Sequence, residues 1–202
     1  MKIVEPSVSL LRATDNPEKL IELAGRTCYN SLDKITDDSY VQFIKSIMKR
    51  GHHSVLEHAS ATFGIICDRG VMAEFTRHRH ASFSVQSTRY CDFTSGKMGN
   101  AAAFIVPTEL GDNNREPWMN AMDAFAGFYA AMIDAGYKPE TARSVMPNAL
   151  ATPMVVTANF REWLHILKLR TDKAAHPDFR VIAKMIGQQL YEISPTVFEE
   201  YK

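Results

Sequence analysis

Apolar and polar residues recur along this chain in two periods, and the periods place its elements. Ser7 to Thr14 reads as a first strand. Asp15-Asn16-Pro17-Glu18 predicts a helix start, with a capping residue ahead of a proline in the first turn. That helix runs through Leu20, Ile21, Leu23 and Ala24 to about Cys28, and Arg26 to Ser31 breaks it, with Asn30 suited to a left-handed C-cap. Thr36-Asp37-Asp38 opens a second helix with Tyr40, Phe43, Ile44 and Ile47 on one face, ended by Gly51 after a basic last turn. Ala59 to Cys67 is a strand by composition. Asp68-Arg69-Gly70 then turns the chain into a short helix, Val71 to Thr76, with Val71, Met72 and Phe75 inward.

In the second half, Cys91 to Asn100 is loop-like and Phe104 to Pro107 is a short strand stopped by proline. Glu116 to Gly136 is a long helix. Its stripe of Trp118, Met119, Met122, Phe125, Phe128, Tyr129 and Met132 predicts core rather than a cofactor box. Lys138 to Val145 carries Arg143. Pro153 to Ala158 is a buried strand that feeds an amphipathic helix ending at Arg170, with Asn159 placed to cap it. His176 to Ile193 is the last helix, closed by Ser194-Pro195. Strands and helices interleave without a GxGxxG or Walker sequence, so the class is α/β in content and not a Rossmann fold.

At 202 residues the chain suits one domain. Lysine plus arginine balances aspartate plus glutamate for zero net charge, which argues against a general nucleic-acid binder. The three cysteines, Cys28, Cys67 and Cys91, form no CxxC pair and no disulfide framework, which points to a reducing cytoplasm. No apolar run approaches the ~20 residues that span a bilayer. Met1-Lys2-Ile3-Val4-Glu5-Pro6 has an acid and a proline where a signal peptide needs an apolar stretch.

Against that neutral background Arg77 to Tyr90 stands out, with three arginines, two histidines and three serines. It is too polar for core and sits between apolar stretches. Arginine forks, hydroxyls and free amides suit an anion, although a solvated basic loop has the same composition. His52, His53, His58 and Glu57 lie close together, but His53 and His58 are five apart and miss the i, i+4 spacing of a helical metal pair. No metal site is expected.

Arg77-His78-Arg79, then seven residues, then Ser87, extended by Thr88-Arg89-Tyr90, resembles the signature of the flavin-dependent thymidylate synthases. His52 to His58 resembles a second segment of that family, and the likeness runs from about Arg26 to Arg170. The resemblance implies a single domain over residues 1–202 with a central, largely antiparallel sheet flanked by helices. It implies reductive methylation of 2′-deoxyuridine 5′-phosphate (dUMP) to dTMP in the cytoplasm. FAD would be the cofactor, NADPH its reductant and 5,10-methylenetetrahydrofolate the carbon donor. The resemblance also implies a homotetramer with sites between subunits, and no nucleic-acid or membrane partner.

Residue by residue, the resemblance assigns Ser87, Thr88, Arg89 and Arg143 to the dUMP phosphate, and Glu74 and Gln86 to the ribose and its neighbours. Arg170 would face uracil and stabilise the charge building on the ring, which with Ser87 makes the catalytic pair. Ser87 serves as a ligand-binding hydroxyl, since no Ser-His-acid set accompanies it. Without the resemblance, Arg170 reads as a helix-end cation. The flavin set is His52, Ser54, Glu57, Arg77, His78, Arg79, His80, Asn159, Arg161 and His165. Two departures stand in the motifs: Ser84-Val85 where the family often has Asn-Glu, and Cys28 where serine is common. No cysteine sits beside an obvious base, so a thiolate route to uracil is not indicated. Two other readings compete: a metal hydrolase using His52, His53, His58, His78 and His80, and a non-catalytic RNA- or nucleotide-binding domain built on the basic stretch.

Overall fold

The computed structural model describes residues 1–99, 101–111 and 115–202. In chain order the elements are β1 (Lys2–Ile3), β2 (Ser7–Ala13), α1 (Pro17–Cys28), α2 (Ser39–Lys49), β3 (Ser60–Asp68), α3 (Arg69–Phe75), β4 (Ala81–Val85), β5 (Ala103–Phe104), α4 (Arg115–Asp134), α5 (Pro139–Ala142), β6 (Ala151–Asn159), α6 (Phe160–Arg170) and α7 (Pro177–Ile193). A four-stranded antiparallel sheet has the order β2-β3-β6-β4, and β1 pairs in parallel with β5. The mixed α/β class agrees with the sequence reading. By its contacts the chain forms two compact units. The first comprises Met1–Ser7, Ile65–Arg77 and Ser84–Met154; the second comprises Val8–Gly64, His78–Phe83 and Val155–Lys202.

In the second unit, strand alternation turns Ala61, Phe63, Val156 and Ala158 inward, while Thr62 and Thr157 bridge hydroxyls at 2.9 Å on the other face. Helix α6 lies on the inward side. Its Trp163 is fully buried, donates its indole N–H to the Ala61 carbonyl at 3.1 Å and meets Phe63 edge-on at 5.2 Å. Phe179, Ile182, Ile186 and Leu190 bury α7 beside α6. Helices α1 and α2 approach so closely that a Cβ at Gly25 would collide with the Phe43 ring.

Helix α1 starts differently from expectation. Asn16 sits in the left-handed region (φ 46°) and makes no side-chain cap bond, because such a cap needs extended backbone. Proline at the first turn opens the helix instead. The next residue, Glu18, is buried and ties α1 to the C-terminal segment. It accepts from the Ser194 hydroxyl (2.9 Å), the Thr196 amide (2.7 Å) and the Thr196 hydroxyl (2.9 Å). Asn30 is left-handed, as expected of a C-cap.

In the first unit, Met122 and Tyr129 of α4 are buried with Phe93, Phe104, Ala142 and Leu150. The expected stripe is only partly core, since Phe128 is 58% exposed, one residue's rotation away from buried Tyr129. The predicted turn at Asp68-Arg69-Gly70 is the start of α3. The Asp68 carboxylate accepts from the Val71 amide at 2.8 Å, and this cap lets the helix begin at Arg69. The strand expected over Phe104 to Pro107 narrows to Ala103–Phe104, and Asn100, the last residue of the expected loop, lies outside the described residues. The basic stretch contains a strand, β4, with Ala81, Phe83 and Val85 half-buried and Ser82 and Ser84 exposed. Among the described residues no helix is long and apolar enough to cross a membrane.

Losing the Glu18 carboxylate strands the Ser194 hydroxyl and the Thr196 amide without their acceptor. Hydrogen bonds to a charged group are worth about 1.5–3 kcal/mol. Glu18→Ala is expected to lower stability by about 2–3 kcal/mol, read from the urea midpoint, with Glu18→Gln losing less. An unchanged midpoint in Glu18→Ala contradicts the tie.

Candidate functional site

Strand β6, whose residues from Val155 onward belong to the second unit, runs straight into α6. Asn159 is the last strand residue and the helix N-cap, its side chain accepting from the Glu162 amide at 2.9 Å. The cap fixes the first turn, and the helical period then sets Arg161, Glu162 and His165 along one opening. A cavity of about 560 Å³ is lined by Glu57, His80, Asn159, Arg161, Glu162 and His165. Arg161 donates to Glu57 at 2.6 Å. A second cavity of about 380 Å³ borders Arg161 as well; its walls include Tyr29, Phe43, Ile47, His52, Ser54 and Val55. Tyr29 Oη lies 3.5 Å from His52 Nδ1. These linings fit a flavin by their chemistry: the Arg161 guanidinium, the Asn159 amide and the His80 and His165 rings as donors for phosphates, and an aromatic and aliphatic wall for a planar ring.

The basic stretch is not uniformly polar surface. His78 is 6% exposed. Its Nε2 accepts from Arg170 Nε at 3.0 Å, and its Nδ1 lies 3.7 Å from Glu162 Oε1. Burial, then the charges of Arg170 and His165, push the imidazole pKa down to about 4. At neutral pH the ring is therefore an uncharged acceptor. Arg170 also lies 4.7 Å above the centre of the Phe179 ring.

Of the flavin set, Glu57, His80, Asn159, Arg161 and His165 line the first cavity, and His52 and Ser54 line the second. His78 is packed in the protein. Arg79 is exposed and lines neither cavity; Arg77 is exposed and belongs to the first unit. Glu162 was not singled out by sequence. An acid in the first turn of a helix is ordinary there, so only its position three residues before His165 hinted at a shared face.

The dUMP set, apart from Arg170, belongs to the first unit. Thr88 is buried and its hydroxyl accepts from Arg143 Nη1 at 3.0 Å. The Ser87 hydroxyl accepts from the Arg89 amide at 3.3 Å, which leaves Ser87 without a catalytic base among its described contacts. Arg89 pairs with Glu140 at 3.3 Å, about half exposed on both sides, a pair of little strength in itself. Gln86 bonds through its backbone to Pro153, and its side-chain amide donates to Met98 Sδ at 3.8 Å. Glu74 is half-buried in α3, three residues before Arg77.

Arg69, read from sequence as a turn residue, is a further cation of this cluster. Burial, then the neighbouring charge of Arg143, lower its pKa. Two guanidiniums crowded together are relieved by an anion. No sequence pattern marks Arg69; its amide donates to the Asn148 carbonyl at 2.8 Å, seventy-nine residues later in the chain. Among the described residues no group of three or more His, Cys, Asp or Glu is arranged to hold a metal ion.

The profile of the family described as "Thymidylate synthase complementing protein" matches residues 9–196. The chain is 37% identical to the flavin-dependent thymidylate synthase of Geobacter sulfurreducens, over 96% of this chain and 85% of that one. It is 39% identical to a probable flavin-dependent thymidylate synthase of Mycobacterium phage D29, over 91% and 83%. Among solved structures, the UMP/dUMP methylase PolB of Streptomyces cacaoi bound with 5-Br dUMP shares the fold, with TM-score 0.84, 22% identity and 98% and 96% coverage.

A thiolate route finds no support at Cys67. Burial, then the Asp68 charge, push its thiol pKa up to about 12, so the thiol is protonated at neutral pH. Cys28 is exposed. Iodoacetamide at pH 8 is expected to label Cys28 in the folded protein and to reach Cys67 only after denaturation, read by peptide mass. Labelling of Cys67 in the folded state contradicts the burial argument.

Proposed function

We infer the activity from one premise: the chain belongs to the flavin-dependent thymidylate synthases, the thymidylate synthase complementing protein family. It is a flavin-dependent enzyme that makes thymidylate. In the proposed reaction, the one-carbon unit of 5,10-methylenetetrahydrofolate is added to C5 of dUMP, and NADPH is the ultimate source of the hydride. The observation that carries the reading is the cavity where Asn159, Arg161, His80 and His165 converge, beside a second with an apolar wall.

Asn159, Arg161, His80 and His165 would hold a flavin there, which when bound and reduced would supply the hydride; the remaining work belongs to the chain. Ser87, Thr88, Arg89 and Arg143, with Arg69 behind them, are proposed to grip the dUMP phosphate. The Arg69–Arg143 crowding and the Thr88–Arg143 bond support this assignment. Glu74 and Gln86 are proposed for the ribose. Arg170 offers a fixed positive charge to the uracil ring as negative charge builds on its oxygens and nitrogens, and it needs no proton transfer to do so. Ser87 contributes a ligand hydroxyl.

Residues 1–202 are proposed to act as one domain, supported by a family match that runs through both units. A homotetramer with sites between subunits is proposed from the family resemblance. Three free cysteines support a reducing, cytoplasmic setting, and zero net charge supports small-molecule rather than nucleic-acid partners.

Incubated with FAD, NADPH, methylenetetrahydrofolate and dUMP, the protein is expected to form dTMP. Arg89→Ala should weaken dUMP binding roughly 10- to 100-fold, the loss of one charge-assisted contact, while flavin content is kept. Arg161→Ala should do the reverse. Normal dUMP affinity in Arg89→Ala sinks the phosphate assignment, and normal flavin content in Arg161→Ala sinks the cavity assignment.

A further inference from the structure

We propose that His78 is a positioning residue for Arg170: its buried imidazole, between Glu162 and the Arg170 side chain, fixes the direction in which the guanidinium points. The inference rests on the reading of Arg170 as the cation that faces the pyrimidine.

Arg170 is the last residue of α6. A long cationic side chain at a helix end has many rotamers, and holding one of them costs entropy. Phe179 and His78 both help to hold this one. Phe179 of α7 supports the face of the guanidinium at 4.7 Å, and His78 takes the Nε–H at 3.0 Å. A bond to Nε grips the inner edge of the fork, where the stem joins it. Rotation about the last torsion is then restrained by His78.

His78 is itself held on several sides. Phe179 and His165 meet its ring edge-on, at 6.5 and 5.9 Å between centroids. Its side chain is 5% exposed and that of Glu162 9%. Because Nε2 accepts from Arg170, the ring proton resides on Nδ1, the nitrogen that faces Glu162 at 3.7 Å. The carboxylate favours that tautomer. The depressed pKa agrees with this arrangement, since a protonated ring would have no lone pair left for Arg170. A residue wanted only for packing would be apolar at this depth, because an imidazole there must be hydrogen-bonded to offset its desolvation. The resemblance put His78 against the flavin. The His78 ring is buried beside Glu162, which lines the first cavity together with His80 and His165.

The test compares His78→Leu, which removes the acceptor, with His78→Gln, whose side-chain oxygen reaches about as far as Nε2. Two rates are followed in the FAD-loaded enzyme: dTMP formation at saturating dUMP, and bleaching of the bound flavin by NADPH without dUMP. His78→Leu should lower kcat for dTMP roughly 10- to 100-fold, the usual cost of a misplaced catalytic group. Bleaching should stay near wild type while the thermal midpoint falls, since leucine leaves Glu162 and Arg170 without their imidazole partner, and His78→Gln should recover most of the lost rate. In an Arg170→Ala background, His78→Leu should cost nothing further. If Leu and Gln lose equally, or if Leu still slows the Arg170→Ala enzyme, His78 is structural and the proposal fails. If Arg170→Ala alone makes dTMP at the wild-type rate, the reading of Arg170 fails instead, and the proposal with it. Should His78→Leu not fold, His78→Asn takes its place: it is polar, but too short to reach Nε of Arg170.

Discussion

Strand β6 passes into helix α6 without a linker, and Asn159 belongs to both. The cavity of the second unit depends on this junction. The sheet fixes where the helix starts, the Asn159 cap fixes its first turn, and the Trp163 bond to Ala61 pins the helix to the neighbouring strand. Arg161, Glu162, His165 and Arg170 then take their places by helical period alone. A shift of one residue at the cap would turn all four by about 100°.

Around that junction, charge is managed rather than avoided. Glu162 is buried against a histidine held neutral, and that neutral histidine accepts from Arg170. Neither charged group is stranded in the interior, which would be costly. The first unit takes the opposite course. Arg69 feels the neighbouring charge of Arg143, and such like charges are relieved by an anion. One cluster is satisfied in its resting form, whereas the other is of a kind that a bound anion would relieve.

Most of the helices were legible from period and caps. Asn159 capping α6, Gly51 closing α2 and the left-handed Asn30 follow from local chemistry. The errors fell where tertiary contacts decide. Asn16 gives up its side-chain cap, Asp68 turns an expected loop into a helix start, and Phe128 faces out of an apolar stripe. For the site, the signature spacing and its resemblance drew attention to both clusters, but spacing carries no depth. His78 and His80 are two residues apart in a polar stretch. One is buried against Arg170 and the other lines the cavity, and only the packing of α6 and α7 separates them. Arg69 and Glu162 were illegible for the same reason, since their partners come from distant segments or from an unremarkable helix turn.

The most direct test is a visible absorption spectrum of the purified protein during titration with FAD, followed by NADPH with and without dUMP. The account predicts flavin bands shifted from those of free FAD, bleached by NADPH, and bleached faster when dUMP is present. A spectrum identical to free FAD at every concentration, with no response to dUMP, would contradict it.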